Sequence, residues 1–208
     1  MNHATSASLF DGIAAGYDDD LFHQLVAEKL VGGVTPGSPP NTVLDVASGT
    51  GAAAFAALRH LRAEHVIAVD LSAGMIDRAI AKAAIQDPEG RIAWRVAPAV
   101  PAPVGSSSVD VVLCASSLHF LGAEAFQDWL RVLRPGGQLA FTLPFAETFT
   151  PSGAMAELVA ADLRLPVDED QAAALATDAG FEHAVAQRFE TSDERLRVVF
   201  LVHATSPG

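Results

Sequence analysis

Hydrophobic and polar positions follow two rhythms along the central part of this chain. Short runs rich in apolar and β-branched residues, typical of buried strands, predict strands at 43–47, 65–70, 91–96, 109–115 and 137–143. Segments with helix-favouring or amphipathic patterns separate most of them and predict helices at 52–63, 72–86 and 122–133. Strands that alternate with helices at this spacing predict an α/β fold with a parallel sheet covered on both faces.

The two ends of the chain follow a different pattern. Residues 1–8 are expected to be a frayed end, followed by a helix at about 19–31 and a Pro/Gly/Ser linker. Beyond Pro144, two helices are predicted at about 153–164 and 168–179, and two strands at about 182–189 and 195–204. We expect one domain over 1–208, divided into an N-terminal helical cap at 9–33, a core at 42–144 and a C-terminal part at 145–208.

Composition limits the partners of this chain. Its 208 residues are half apolar and carry a formal net charge of −12, from 25 acidic and 13 basic residues. Nucleic acid and anionic membranes are disfavoured, because both bind mainly through Lys and Arg. We find no membrane-spanning run, no secretion signal and no metal-ligand spacing of His or Cys, so we expect no metal site. The single cysteine, Cys114, suits a reducing cytoplasm, and no feature predicts an oligomeric state.

The strongest chemical signal is the turn after the first predicted strand. The strand ends on Asp45 and passes through Ala47-Ser48-Gly49-Thr50-Gly51 into an Ala-rich helix. Glycines at such a turn let a ligand approach the main chain, and the free N–H groups at the start of the helix are hydrogen-bond donors. We therefore predict a ligand-binding turn.

Two interpretations of this turn compete. Gly49-x-Gly51-x-x-Ala54, with Asp70 at the end of the next strand, fits the dinucleotide pattern in which an acid binds a ribose. In that pattern, however, the first glycine directly follows the strand, and no acid need precede it. The version found here, with Asp45 before the turn, resembles motif I of the class I S-adenosylmethionine-dependent methyltransferases.

Further stretches carry the same resemblance. Asp70-Leu71-Ser72-x-x-Met75 resembles motif II of these enzymes, and residues 108–121 resemble motif IV. Leu133-Arg134-Pro135-Gly136-Gly137 resembles another hallmark of the class, for which dehydrogenases have no counterpart. The opening Phe-Asp-x-x-Ala-x-x-Tyr-Asp at 10–18 resembles that of the small-molecule methyltransferases of ubiquinone and menaquinone biosynthesis.

The resemblance implies a fold and a cofactor. The fold is a Rossmann-like, mostly parallel seven-stranded sheet of order 3-2-1-4-5-7-6, with an antiparallel last strand, helices on both faces and a short N-terminal helical cap. The cofactor is S-adenosylmethionine, with Asp70 on the ribose, Leu71 and Met75 beside the adenine, and Tyr17 closing over the methionine end or merely anchoring the cap. The complete set carried over is Tyr17, Asp45, Ala47, Ser48, Gly49, Gly51, Asp70, Leu71, Met75, Ala97, Pro98 and Ser116.

The chain departs from the family pattern after its third strand. The usual Gly-Asp-Ala is replaced by Ala97-Pro98-Ala99. In the family the Asp accepts a hydrogen bond from the adenine amino group, and a proline side chain cannot. Adenine would then rely on backbone groups and apolar packing, which predicts weaker cofactor binding.

His119 is the candidate catalytic residue, either as a general base or as a residue that only shapes the pocket. His23 on the cap helix is a second histidine that could face the acceptor. The acceptor is expected to enter under 9–32 and 145–155. Aromatic residues there suit a hydrophobic acceptor, with core packing as the alternative explanation, namely Phe10, Phe22, Phe120, Phe145 and Phe149.

Together these features predict methyl transfer from S-adenosylmethionine to a small, hydrophobic organic acceptor by in-line displacement. One alternative is a protein of methyltransferase fold that binds the cofactor and catalyses a non-methylating reaction. The others are an NAD-type oxidoreductase, which leaves the Leu-Arg-Pro-Gly-Gly stretch unexplained, and a non-enzymatic scaffold.

Overall fold

The computed structural model describes residues 3–192 and 196–208, in which seven strands form one sheet of order β3-β2-β1-β4-β5-β7-β6. Strands β1 to β5 are parallel, and β7 runs antiparallel to both β5 and β6. The bounds are Thr42–Val46 (β1), His65–Asp70 (β2), Ile92–Val96 (β3), Val109–Cys114 (β4), Leu133–Pro144 (β5), Glu182–Ser192 (β6) and Leu196–Thr205 (β7). The predicted fold class and strand order are confirmed.

Helices cover both faces of the sheet. They are His3–Ile13 (α1), Phe22–Gly32 (α2), Ala52–Ala56 (α3), Ala73–Gln86 (α4), Leu118–Leu121 (α5), Glu124–Val132 (α6), Ala154–Leu158 (α7) and Glu169–Asp178 (α8). A 3₁₀ segment, Ala14–Asp19, precedes α2, and a π-helical turn, Ala57–Leu61, continues α3. In the described ranges no helix has the length and apolar character needed to cross a membrane.

Alternate residues of the central strands build two hydrophobic cores. Leu44 and Val112 pack with α6 and α8 on one face, whereas Val43 and Val111 pack with α2 and α3 on the other. This alternation follows from the two-residue period of a strand. Because both faces are buried, the strands carry nearly continuous apolar runs, as the sequence pattern indicated.

The N-terminal prediction was wrong over residues 3–8, and residues 1 and 2 lie outside the described residues. Residues 3–13 form α1, which packs against α4. Asp11 of α1 accepts hydrogen bonds from the Ser72 hydroxyl (2.5 Å) and the Gly74 N–H (2.9 Å). The apolar pattern of this segment is weak, so its helical state depends on these tertiary contacts.

Other observed helix and strand boundaries differ from the predicted ones where a tertiary contact outweighed the local sequence pattern. The predicted helix at 122–133 is observed as α6, and Gly122, with a φ of +82°, separates it from α5, which was not predicted. Strand β5 begins at Leu133 rather than 137, because Leu133 pairs with Val109 of β4. The predicted helix at 153–164 is reduced to α7, and residue 195, the predicted start of the last strand, lies outside the described residues.

Candidate active site

The turn between β1 and α3 is held by the carboxylate of Asp70. Ala47, Gly49 and Gly51 all have positive φ, between +51° and +88°, which folds the main chain back on itself. Asp70, the last residue of β2, accepts hydrogen bonds from the Gly49 N–H (2.7 Å) and the Ser72 N–H (2.8 Å). Two segments that the sequence singled out separately therefore meet at the carboxyl edge of the sheet, where open α/β folds bind ligands.

The two glycines of the turn are needed for different reasons. A Cβ at Gly51 would lie 2.5 Å from the Trp94 ring, and its φ of +88° is strained for other residues. A Cβ at Gly49 would meet only the Tyr17 ring, at 3.8 Å. Gly51 is therefore required by packing and by backbone conformation, whereas Gly49 mainly permits the backbone conformation.

A cavity of about 560 Å³ lies over this turn. On one side it is lined by Tyr17, Ala47 and Gly49, and on the other by Asp70, Leu71, Met75 and Pro98. Seven of the twelve predicted cofactor residues thus line this cavity. The remaining predicted site residues, which do not line it, are Asp45, Ser48, Gly51, Ala97, Ser116 and His119.

Buried polar atoms without partners surround the turn. Within the described ranges, the Asp45 Oδ2, Ser48 Oγ and Ser116 Oγ atoms make no hydrogen bond. Burial raises the pKa of Asp45 to about 8, and the negative charge of Asp70 adds to the effect. Because buried polar groups are normally hydrogen-bonded, these orphaned atoms fit a ligand with a charged, amino-acid-like end.

The loop after β3 is attached to this wall through its main chain. The Ala97 N–H donates to the Asp70 carbonyl (2.9 Å), which sets the following Pro98 into the cavity wall. Pro98 offers the cavity no side-chain hydrogen-bond acceptor. The position at which the family has an acid, occupied here by Pro98, therefore lies in the cavity wall.

The 3₁₀ segment and α1 cover the turn. Asp18 accepts a hydrogen bond from the Thr50 hydroxyl (2.6 Å) and pairs with the Lys82 ammonium (3.1 Å). These contacts hold Tyr17 in the cavity wall. Burial raises the pKa of Tyr17, reinforced by the negative charge of Asp70, so its hydroxyl stays protonated at neutral pH.

His119 lies behind the cavity wall rather than in it. Its ring is buried between Phe120 (centroids 4.0 Å apart) and Phe149 (5.0 Å). Burial, together with the smaller effect of nearby His23, lowers the pKa of His119 to about 4. Its Nδ1 atom has no hydrogen-bond partner in the part of the chain that the structure describes. The side chain is therefore a neutral imidazole at pH 7.

His23 of α2 stands beside His119 and shares its properties. Its ring stacks on Tyr17, with centroids 5.1 Å apart and an interplanar angle of 14°. Burial lowers the pKa of His23, and its Nδ1 atom is buried and likewise lacks a partner among the described residues. Two neutral imidazoles, each with a buried Nδ1 atom, therefore lie behind the lining residues Tyr17 and Phe120.

The segment that follows α7 covers one end of the cavity. Residues 157–161 line the cavity, whereas the segment 145–155, expected over the acceptor, does not. Ala160 N–H donates to the His119 carbonyl (2.9 Å), which holds the segment against α5. Sequence reasoning missed this segment because no motif marks it. It also missed Ser6, Val100, Ser117, Leu121 and Glu124.

Known proteins resemble this chain in sequence and in fold. The family model of the methyltransferase domain matches residues 43–137. An arsenite methyltransferase from Halobacterium salinarum is 36% identical over 53% of this chain and 30% of its own length. A ubiquinone/menaquinone biosynthesis C-methyltransferase from Dinoroseobacter shibae is 28% identical over 69% of this chain and 60% of its own length.

A solved structure shares the whole architecture. The 1,6-didemethyltoxoflavin-N1-methyltransferase from Burkholderia thailandensis, with bound 1,6-didemethyltoxoflavin and S-adenosylhomocysteine, superposes with a TM-score of 0.72. It is 20% identical, and the match covers 100% of this chain and 91% of that one. At this identity the likeness concerns the fold.

Residues 43–137 match the methyltransferase-domain model and contain the parallel core of the sheet, so the predicted resemblance to the class I S-adenosylmethionine-dependent methyltransferases is confirmed over this range. The predicted class, its enzymatic character and its cofactor, S-adenosylmethionine, are confirmed. The chain spans only 30% and 60% of the length of the two relatives named above, so their complete activities do not carry over to it directly.

Proposed function

We propose that this protein transfers a methyl group from S-adenosylmethionine to a small, hydrophobic acceptor. The observation that carries the proposal is the Asp70 carboxylate, which is tied to Gly49 in the wall of a cavity of about 560 Å³. We take residues 1–208 as one domain, with the cap at 9–33, the core at 42–144 and the C-terminal part at 145–208. A cytoplasmic location remains a prediction, and the buried free thiol of Cys114 is consistent with it.

Each group in the wall suits one part of the cofactor. Asp70 would accept hydrogen bonds from the ribose hydroxyls, since a carboxylate has two oxygens for this purpose. The Gly49 turn, with Asp45, Ser48 and Ser116 behind it, would hold the charged methionine end, and Tyr17 would cover it. Leu71, Met75 and Pro98 are apolar surfaces for the adenine ring, with Ala97 supporting Pro98 from behind.

S-adenosylmethionine, when bound, supplies a methyl group already activated by a positively charged sulfur. The remaining work of the protein is to hold the acceptor in line and to exclude water. The cap performs the second task, because Tyr17 and α1 lie over the turn. The apolar part of the cavity, formed by Phe10, Phe120, Leu121 and Val159, suits an acceptor with a hydrophobic body.

The two histidines shape the cavity from behind its wall. With a pKa of about 4, His119 is a weak base, so it would not ionise an alcohol before methyl transfer. Its ring does not line the cavity and its Nδ1 atom is buried, so its role would be to shape the pocket rather than to take a proton from the acceptor. His23, whose Nδ1 atom is also buried, would support Tyr17 through ring stacking.

The relatives support a small acceptor. Their names refer to arsenite, to ubiquinone and menaquinone biosynthesis and to 1,6-didemethyltoxoflavin. The acidic composition, with a net charge of −12, gives no support to a nucleic acid acceptor.

Two measurements test the proposal. Calorimetric titration with S-adenosylmethionine and with NAD⁺ should give binding of the first alone; preference for NAD⁺ would indicate an oxidoreductase instead. Incubation with radiolabelled S-adenosylmethionine and a panel of hydrophobic phenols, amines, thiols and quinols should then label at least one acceptor. Tight cofactor binding without any labelled product would favour the non-methylating alternative.

A further inference from the structure

The loop after β3 lies along helix α6 in a regular register. The Asp128 carboxylate accepts a hydrogen bond from the Ala102 N–H (2.7 Å). One turn later in the helix, the Arg131 guanidinium donates to the carbonyls of Ala102 (3.0 Å) and Val104 (2.9 Å). Further on, Ser108 N–H donates to the Val132 carbonyl (2.8 Å). The loop and the helix therefore run in the same direction, side by side.

The same parallel run brings Glu124, at the start of α6, towards the loop residues that precede Ala102. Glu124 precedes Asp128 by four residues, so the two side chains share one face of α6. The loop residues that precede Ala102 are Pro98, Ala99 and Val100, and all three line the same cavity as Glu124. The Glu124 side chain is exposed and makes no hydrogen bond or ion pair with the described residues. An unpaired carboxylate thus lines the same cavity as Pro98, the position where the family's acid is missing.

We propose that Glu124 supplies the adenine-recognising carboxylate that Pro98 cannot provide. This inference rests on the proposed function, since it concerns the same cofactor site. The exocyclic amino group of adenine is a hydrogen-bond donor, and a carboxylate is its strongest side-chain acceptor. Glu124 reaches the adenine region from α6 instead of from the end of β3. The apolar surfaces of Leu71 and Met75 hold the adenine ring, and the Glu124 carboxylate accepts a hydrogen bond from the amino group of the ring.

A second carboxylate in the cavity wall, Glu157, provides the matched control. Its segment is hydrogen-bonded to α5 through Ala160 and His119 and to the start of α6 through Asp162 and Ala123 (3.1 Å), and among the described residues no hydrogen bond joins it to the β3–β4 loop. Glu124 and Glu157 have the same charge, are both exposed and both line the cavity. Only Glu124 shares a helix face with the groups that hold the β3–β4 loop.

The experiment compares two ligands on the full chain by isothermal titration calorimetry. The ligands are S-adenosylhomocysteine and its 6-deamino purine analogue, which lacks the amino group. The wild-type protein should prefer S-adenosylhomocysteine by about tenfold, as expected for one partly exposed, charge-assisted hydrogen bond. Glu124→Ala should reduce this preference to less than about twofold, whereas Glu157→Ala should leave it near tenfold.

Glu124→Gln offers a second variant of nearly unchanged shape, with a neutral acceptor and an expected preference of about threefold. Circular dichroism melts establish that each variant is folded. A preference that stays near tenfold in both Glu124 variants would overturn the assignment, as would an equal loss in Glu157→Ala. Failure of the wild-type protein to bind S-adenosylhomocysteine at all would instead overturn the proposed function.

Discussion

The two ends of the cavity are built in different ways. At one end, the Gly49 turn and Asp70 come from adjoining strands, and main-chain hydrogen bonds determine their geometry. At the other end, His23 comes from the cap, His119 follows β4, and residues 157–161 come from the C-terminal part. Their positions depend on ring packing and on a single main-chain hydrogen bond between Ala160 and His119.

This difference separates the cofactor from the acceptor. A ligand common to a whole class of enzymes can be bound by a short, backbone-determined motif. An acceptor particular to one protein is recognised by side chains that several distant elements bring together. The predictions below test whether the first end is as rigid, and the second as dependent on burial, as this comparison implies.

The largest effect is expected from substitution of Gly51. Gly51→Ala combines a strained φ of +88° with a Cβ 2.5 Å from Trp94, and should lower the free energy of unfolding by about 3 kcal/mol. Gly49→Ala, whose Cβ meets only Tyr17, should cost about 1 kcal/mol. Urea unfolding at pH 7 measures both. Equal losses would mean that the Trp94 contact relaxes freely.

Asp70→Asn should weaken binding of S-adenosylhomocysteine about 30-fold, or by about 2 kcal/mol, because a charged acceptor for the ribose is lost. The matched control is Asp87→Asn. Asp87 is also buried and accepts hydrogen bonds from two main-chain N–H groups, those of Arg91 (2.9 Å) and Ile92 (2.8 Å), but it does not line the cavity. The Asp87→Asn variant should lose stability without losing affinity for S-adenosylhomocysteine. A similar loss of affinity in both variants would contradict a direct role for Asp70.

At the acceptor end, the burial of His119 should make the free energy of unfolding depend on pH. Burial lowers the pKa of His119 from its ordinary value of about 6.5 to about 4, so the unfolded chain binds the extra proton between these pH values. The contribution of His119 to stability is therefore present above pH 6.5 and is lost as the pH falls towards 4. It should amount to about 2 kcal/mol between pH 7 and pH 5.

Unfolding free energies of three proteins at these two pH values check this expectation. His119→Gln should lose less stability than the wild type by about 2 kcal/mol, because its side chain does not titrate. His65→Gln, at an exposed position, should behave like the wild type. The same pH dependence in all three proteins would contradict the burial of a neutral His119.

The smallest effect concerns the contact that joins α1 to α4. The hydrogen bond from the Ser72 hydroxyl, followed by that from the Gly74 N–H, lowers the pKa of Asp11. Its carboxylate therefore stabilises the fold above the ordinary pKa of Asp and loses this effect in acid. Because Asp11 is exposed, Asp11→Ala should cost at most about 1 kcal/mol at pH 7 and should speed hydrogen exchange in α1. Asp19→Ala, also exposed, should change neither quantity; equal effects would contradict a specific contact.

Local patterns predicted much of the cofactor end. The bounds of β2, the turn at Gly49–Gly51 and the proximity of Asp70 to this turn all follow from a strand, a glycine turn and a helix that are consecutive in sequence. Local patterns failed for α1 and for the segment after α7. Neither has a strong apolar period, and both are ordered by contacts with residues far away in the chain.

The strand order was expected only from the family resemblance. The amino-acid sequence alone determined the α/β class of the fold and the turn on which the cofactor assignment rests. The class and the turn depend on residues that are neighbours in the chain, and the backbone preferences and apolar period of these residues act locally. Only the tertiary structure decided that His23 lies close enough to His119 to lower its pKa, and that residues 157–161, Glu124 and Pro98 line one cavity. Such contacts depend on how separate helices, strands and loops pack, and no short stretch of sequence determines that packing.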